Sequence, residues 1–302
     1  MLPALGRRIV TIGGLFAIAM LLASCGGGGG AGTPAAGSGS LQGPSSSNQP
    51  LTAQQMTEVV NASVPEFTSG YATNLDTVTT STGSRSAQSN PCIHASPLPQ
   101  VINPDGLPAN ETYSHDNCTN LDWAPNMTVN GDINITDTSN NRNSLSYTQT
   151  DINLSLAGND LSGVPFTEVR NGQRFVTAPS SHELSVTRQI DALRTLPTQT
   201  IEITNDWEWH FTAAPGLSVQ LLRKLPAGQF DEAHGTATHW NGVSLWGVTF
   251  KITQPLQFDP TCTTPPAFTS GQIKYTQAGG ANPGKFTATF SGCGIPPVIA
   301  PA

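Results

Sequence analysis

The chain has 302 residues, enough for one or two globular domains, with 13 Lys and Arg against 20 Asp and Glu and a formal net charge of −7. Only 11% of its residues are charged, against about 25% in an average soluble domain, and 36 Thr, 26 Ser and 20 Asn supply most of its polarity. This balance suits β-strands and turns and disfavours a helical bundle, a coiled coil or a nucleic-acid binder, since each needs more charge and the last needs a basic face.

At the N-terminus Arg7 and Arg8 precede a mainly apolar run from Ile9 to Leu22, which closes on Leu22-Ala23-Ser24-Cys25. The run reads as a secretory signal over residues 1–24; interrupted by Gly13 and Gly14, it falls short of the roughly 20 apolar residues of a membrane span. Leu22-Ala23-Ser24-Cys25 resembles the bacterial lipobox, which implies cleavage before Cys25 and a diacylglyceryl group on its thiol. Cleavage there leaves 278 residues and removes both arginines, moving the net charge to −9. So acidic a body is not expected to cling to anionic lipid, and attachment falls to the acyl chains. Gly26, where the family pattern for retention has Asp, implies sorting to the outer membrane.

Residues 25–50 combine the lipid-acceptor Cys25 with a Gly/Ser/Ala/Pro tether free of charge. As a flexible coil it spans about 25 to 30 Å on average. Its Gly27–Gly30 run is not a phosphate loop, because neither a preceding strand nor a following helix frames it.

Residues 51–90 read as a short helical segment followed by a polar loop. Thr52-Ala53-Gln54-Gln55 has the form of a capping box, and Met56, Val59 and Val60 share a helical face until Pro65 stops the pattern. Phe67, Tyr71, Leu75 and Val78 continue a helix-like spacing, and residues 79–90 are polar.

From about Glu111 the period changes to two. Val129, Ile133 and Ile135 alternate with polar residues; Leu145 and Tyr147 have the opposite parity to Ile152, Leu154 and Leu156, which places a β-bulge near Thr150. Ile201, Ile203, Trp207, Trp209 and Phe211 form one face of a strand whose other face carries Glu202, Thr204, Asp206, Glu208 and His210. Asn171-Gly172 and Asn241-Gly242 read as two-residue hairpin turns, the second pairing Trp240 with Val243 and Ala237 with Trp246. Trp246, Val248, Phe250 and Ile252 share a face on the return strand, and further strands are expected over 184–190, 217–223, 268–276 and 285–291. With about ten to twelve strands in series and no room for crossover helices, the fold class is all-β: a large antiparallel sheet over 91–294, arranged as a sandwich or an open barrel, with the short helix before it. A Pro-rich tail is expected over 295–302.

Besides Cys25, four cysteines remain, an even number that suggests two disulfides in an exported chain. Spacing favours Cys92 with Cys118 and Cys262 with Cys293, which enclose 25 and 30 residues. Cys118 and Cys262 each precede a similar strand, Gly131-Asp132-Ile133-Asn134-Ile135 and Gly271-Gln272-Ile273-Lys274-Tyr275, a faint internal likeness. These two Cys-framed segments, a Gly-x-Ile strand, long polar/apolar strands and a central Trp resemble a group of uncharacterised bacterial secreted proteins and lipoproteins over residues 90–294. That group brings no established activity with it.

Recognisable catalytic motifs do not close. His182-Glu183 begins like a zincin helix, but position 186 is Val; Gly242-Val243-Ser244-Leu245-Trp246 lacks the closing Gly of a nucleophile elbow; Gly279–Lys285 has phosphate-loop spacing, but Phe286 takes the place of the Ser or Thr. His234 and His239 point to opposite faces of a strand, whereas Glu208 and His210 share one and would need a third ligand from a neighbouring strand. No catalytic residue, metal ligand or cofactor is therefore assigned. Most of Trp207, Trp209, Trp240 and Trp246 belong to the core, with a carbohydrate or lipid groove as the other use.

The leading expectation is a non-enzymatic outer-membrane lipoprotein held to the membrane by Cys25, without a nucleic-acid partner, serving as a binding or structural module for an envelope protein, glycan or lipid. The alternatives are a carrier of a lipid or acylated ligand in a curved sheet and a hydrolase with carboxylates drawn from separate strands. A closed apolar cavity favours the carrier, a cleft with paired acids the enzyme, and a filled core with an exposed aromatic strip the binding module.

Overall fold

The computed structural model describes residues 50–65, 67, 91–97, 103, 107–121, 124–137, 145–221, 225–242, 245–278 and 284–302. All fall within the unit Gly43–Ala302; the other unit, Met1–Gln42, with the signal and Cys25, lies outside the described residues, as do most of the tether and the loop over 79–90.

Helix α1 (Ala53–Ser63) starts where the sequence places it. The Thr52 hydroxyl accepts from the Gln55 N–H, and the Gln55 side chain accepts from the Thr52 N–H, so two helix-end donors are satisfied reciprocally. Val64 caps the far end, and Pro65, with no N–H to donate to the Asn61 carbonyl, interrupts the ladder there, although Pro65 and Phe67 are again helical. The first turn is exposed, whereas Val59 to Ser63 are buried at every position. The helix therefore runs into the protein end-on instead of lying along its surface.

Twelve strands follow among the described residues: β1 (Ile93–Ser96), β2 (Asn110–Leu121), β3 (Ala124–Thr136), β4 (Leu145–Asn159), β5 (Pro165–Ser180), β6 (Glu183–Thr195), β7 (Thr200–Ala213), β8 (Gly228–Trp240), β9 (Leu245–Phe258), β10 (Phe268–Ala278), β11 (Lys285–Phe290) and β12 (Val298–Pro301). Each is antiparallel to the next, and spatial order equals chain order. The fold class is as expected, all-β with one short helix; of the two arrangements, the chain adopts a single open sheet, not a sandwich. One face is buried along almost its whole width, and a continuous apolar cluster joins residues from β2 to β11 with α1 and Phe67. The sheet thus curls around its own N-terminal segment, and bulges in most strand pairs supply the bend.

Several sequence expectations change at this level. Asn171-Gly172 is not a turn. It lies in the middle of β5, where Gly172 has φ +145° and packs so closely on β6 that a Cβ would come 2.2 Å from the Gln189 carbonyl oxygen. Asn241-Gly242 does lie between strands, but pairing resumes at Trp240 with Leu245, so Ala237 faces Val248 and His239 faces Trp246. The bulge expected near Thr150 falls at Ile152-Asn153: Tyr147, Gln149 and Asp151 stay inside, Ile152 turns out, and Leu154 and Leu156 return to the interior. Residues 214–221 form turn and irregular backbone where a strand was expected from 217. The C-terminal segment is more than a tail, since Val298–Pro301 pairs with β11 as the last strand.

The Sγ atoms of Cys92 and Cys118 stand at bonding distance, as do those of Cys262 and Cys293, with Cα separations of 5.3 and 5.8 Å. The first pair ties the residue before β1 to β2; the second ties the β9–β10 connection to the segment between β11 and β12. Each therefore staples one end of the sheet, where an edge strand of four residues has little pairing of its own. Cys118 lies inside a strand and Cys262 in a loop, so the two Cys-framed segments occupy non-equivalent places.

Candidate functional site

The inner face is divided by chemistry. On β7 to β11 it is aromatic: Trp207, Trp209, Phe211, Phe230, Phe250, Phe268, Tyr275 and Phe286 are buried. The Phe67 ring enters among them, with centroids 5.3 Å from Phe230, 6.0 Å from Trp207 and 6.1 Å from Phe268. Most of these pairs meet edge to face, the arrangement the ring quadrupole favours.

On β4 to β6 the same face is charged. The parity that buries Leu184, Val186 and Ile190 also buries Arg188 and Arg194, and on β5 the inner row is Phe166, Glu168, Arg170, Arg174 and Val176. Arg174 donates to both carboxylate oxygens of Asp151 at 2.6 Å, and Gln149 donates to the same carboxylate. Glu168 accepts from Arg170 and, at 3.4 Å, from Arg194, which also lies 3.9 Å from Asp160. Asp160 and Ser162 accept from the Asn61 amide of α1, and the Asn61 carbonyl accepts from Arg194. The guanidinium of Arg188 lies 4.7 Å over the Trp207 ring, where the charged half meets the aromatic one. On the far side, the Ser63 hydroxyl meets the Tyr275 hydroxyl at 2.7 Å. The buried end of α1 is thus gripped by β6, by the β4–β5 connection and by β10.

Burial sets the protonation of this interior. His239, on β8, is stacked on Trp246, and neither ring nitrogen has a partner; desolvation, and then the nearby Arg194 charge, push its pKa down to about 3. Burial also lowers His115 and raises the Tyr147 hydroxyl, and it raises the Glu58 carboxyl against the pull of Arg194.

The residues singled out in the sequence separate. His234 is exposed and His239 buried, on opposite faces. Glu208 and His210 share the outer face but form two separate pairs: Glu208 reaches His234 at 3.8 Å, and His210 meets Asp231 at 2.7 Å, with Thr212 donating to the same carboxylate. Burial works to raise the Asp231 carboxyl, and the bonds from His210 and Thr212 outweigh it, leaving the pKa below its ordinary value. Among the described residues no group of three or more His, Cys, Asp and Glu is placed to hold a metal. Trp207, Trp209 and Trp246 are core residues and Trp240 is half-buried. His182 stands in the β5–β6 turn, and Lys285-Phe286 opens a strand, so neither near-motif has its helix.

Outside, the pattern of β5 and β6 leaves apolar side chains in solvent. Val169 and Leu193 are opposite each other in register, and Phe175 and Ile152 are also exposed. These residues are mostly aliphatic, and Asn171 and Gln173 separate Val169 from Phe175 on the same face, so they do not make the aromatic strip a binding module was expected to show. Sequence reasoning missed both these exposed residues and the arginine row. The parity of Leu184, Val186 and Ile190 was the signal that could have placed Arg188 and Arg194 inside.

No known protein family matches the chain, and neither a curated protein nor a solved structure is similar to it.

Proposed function

We propose that this chain is a membrane-anchored lipoprotein, attached through Cys25, whose curved sheet serves as a binding or structural module in the outer membrane and works through its outer face. The observation that carries the reading is the occupation of the inner face: Val59 to Ser63 and Phe67 fill the space where a carried ligand would sit. A carrier of lipid or acylated ligand would have to expel α1 and break the Asn61, Ser63 and Arg194 contacts. The outer face, with Val169, Phe175 and Leu193 in solvent, is the surface left for an envelope protein, glycan or lipid. The anchor itself rests on Leu22-Ala23-Ser24-Cys25.

Metabolic labelling with a fatty acid tests the anchor. The chain takes up label, and Cys25→Ala loses it and leaves the membrane fraction; retained label in that variant contradicts the reading.

A further inference from the structure

Among the described residues, the cations are segregated. The four described arginines are all in the interior, and the chain has only four lysines, Lys224, Lys251, Lys274 and Lys285. The three described ones stand together on the outer face of β9, β10 and β11, around an open groove of about 570 Å³, within the size range of small-ligand sites.

Their placement is costly without an anion. Lys251 and Lys274 are directly opposite each other in register, and Lys285 faces Thr276, two residues along β10 from Lys274. Like charges directly opposite each other across a strand pair are destabilising. In a chain with 20 acidic residues, no carboxylate of the described residues pairs with any of the three. Among the described residues, the one acid that reaches a groove residue is Glu208, which meets His234. Thr236, Thr249 and Thr276 line the same groove; the Thr249 hydroxyl donates to the Thr276 carbonyl at 3.4 Å, and Thr236 and Thr276 bring two further hydroxyls.

We propose that this groove binds a phosphate-bearing ligand, with Lys251, Lys274 and Lys285 neutralising the phosphoryl charge and the Thr236 and Thr276 hydroxyls donating to its oxygens. Lysine suits this as a compact point charge with three donors. The inference deepens the binding reading above by naming a ligand class for the outer face. It also qualifies the expectation drawn from net charge, because an acidic body can hold an anion where its lysines are gathered. The same chemistry occurs in a phospholipid headgroup and in a soluble phosphate ester. Gly284, beside Lys285, lies near Pro50: a Cβ on it would stand 3.9 Å from the Pro50 Cα. The chain leading back to Cys25 thus reaches the described structure beside the groove, which makes a headgroup a source worth separating.

The test uses the chain from Gly26 onward, which holds the whole unit Gly43–Ala302 and carries no acyl group, so failure of the Cys25 reading leaves it unaffected. Two probes are titrated at low salt: inorganic pyrophosphate, and vesicles of phosphatidylcholine with or without one third phosphatidylglycerol. Binding to the anionic vesicles alone assigns the groove to headgroups, and binding to pyrophosphate assigns it to a soluble phosphate; either supports the site. In both cases the triple variant Lys251→Gln, Lys274→Gln, Lys285→Gln loses affinity by about fivefold per lysine, on the order of 100-fold in all. A variant with the same net-charge change placed on β6 and β7, Thr187→Glu, Gln189→Glu, Thr204→Glu, binds within a few-fold of the native chain. Binding of neither probe, vesicle binding that is the same with and without phosphatidylglycerol and unaccompanied by pyrophosphate binding, or equal losses in the two triple variants overturns the proposal.

Discussion

The two halves of the inner face solve one problem by different physics. On β7 to β11, rings fill the space under the sheet, and burial together with edge-to-face contact stabilises them without regard to polarity. On β4 to β6, the guanidiniums of Arg170, Arg174 and Arg194 with their carboxylates, and that of Arg188 over Trp207, occupy equivalent positions, where every charge lost from water must be compensated by a partner at close range. The two halves therefore tolerate change differently. An aromatic side chain can be lost at the expense of a cavity, whereas an ionic partner cannot be lost singly. The contrast also separates stability from geometry: the charged half directs the end of α1 through Asn61, and the aromatic half receives Phe67 without hydrogen bonds from its ring.

A pair of substitutions, one in each half, separates the two kinds of core. Phe67→Ala or Trp207→Ala should cost about 3–5 kcal/mol in chemical denaturation, a loss that no single partner change restores. Arg174→Leu should cost a similar amount, about 3–5 kcal/mol, by leaving Asp151 buried and unpaired, yet adding Asp151→Leu should recover most of it. If the double variant is no more stable than Arg174→Leu, the charged half is not governed by pairing. Next in size, Cys92→Ser with Cys118→Ser should lower stability by about 2–5 kcal/mol, seen as a fall in Tm, because the closed loop constrains the unfolded chain.

A pH scan sharpens the same contrast through His239. Its folded pKa of about 3 lies below the ordinary 6.5, so the unfolded chain binds more protons between those values. The stability it contributes is fully present above pH 6.5 and is lost as pH falls toward 3, with a slope of up to about 1.4 kcal/mol per pH unit. His239→Phe should flatten that part of the acid limb while leaving stability at pH 8 nearly unchanged. The smallest effect is expected outside: Leu193→Thr should change stability by only about 0.5 kcal/mol, because the side chain is already in solvent.

Where local chemistry decided the outcome, the sequence was readable. Thr52 and Gln55 announce the helix start, Pro65 its stop, and the alternation from Ile201 to Phe211 gives both faces of β7. What was not readable depends on neighbours. Asn171-Gly172 has the chemistry of a tight turn, but the glycine is there because β6 passes too close for a Cβ. The strands β5 and β6 carry arginine inward and Val169, Phe175 and Leu193 outward, against the hydrophobic rule, because ion pairs across strands satisfy the interior. The lysine groove draws on three strands, β9 to β11, and no spacing along the chain betrays it.

The account turns on α1 being a permanent part of the core, so that only the outer face is available to a partner. Native-state hydrogen exchange at Val60, Asn61, Ala62 and Ser63 measures this directly, compared with amides of β7 such as Ile203 and Trp209. The account predicts that both groups exchange only through global unfolding, with the same free energy and the same denaturant dependence. Exchange of the α1 amides through a low-energy local opening, while β7 stays protected, would show a displaceable plug over an interior that can accept a ligand, and would contradict it.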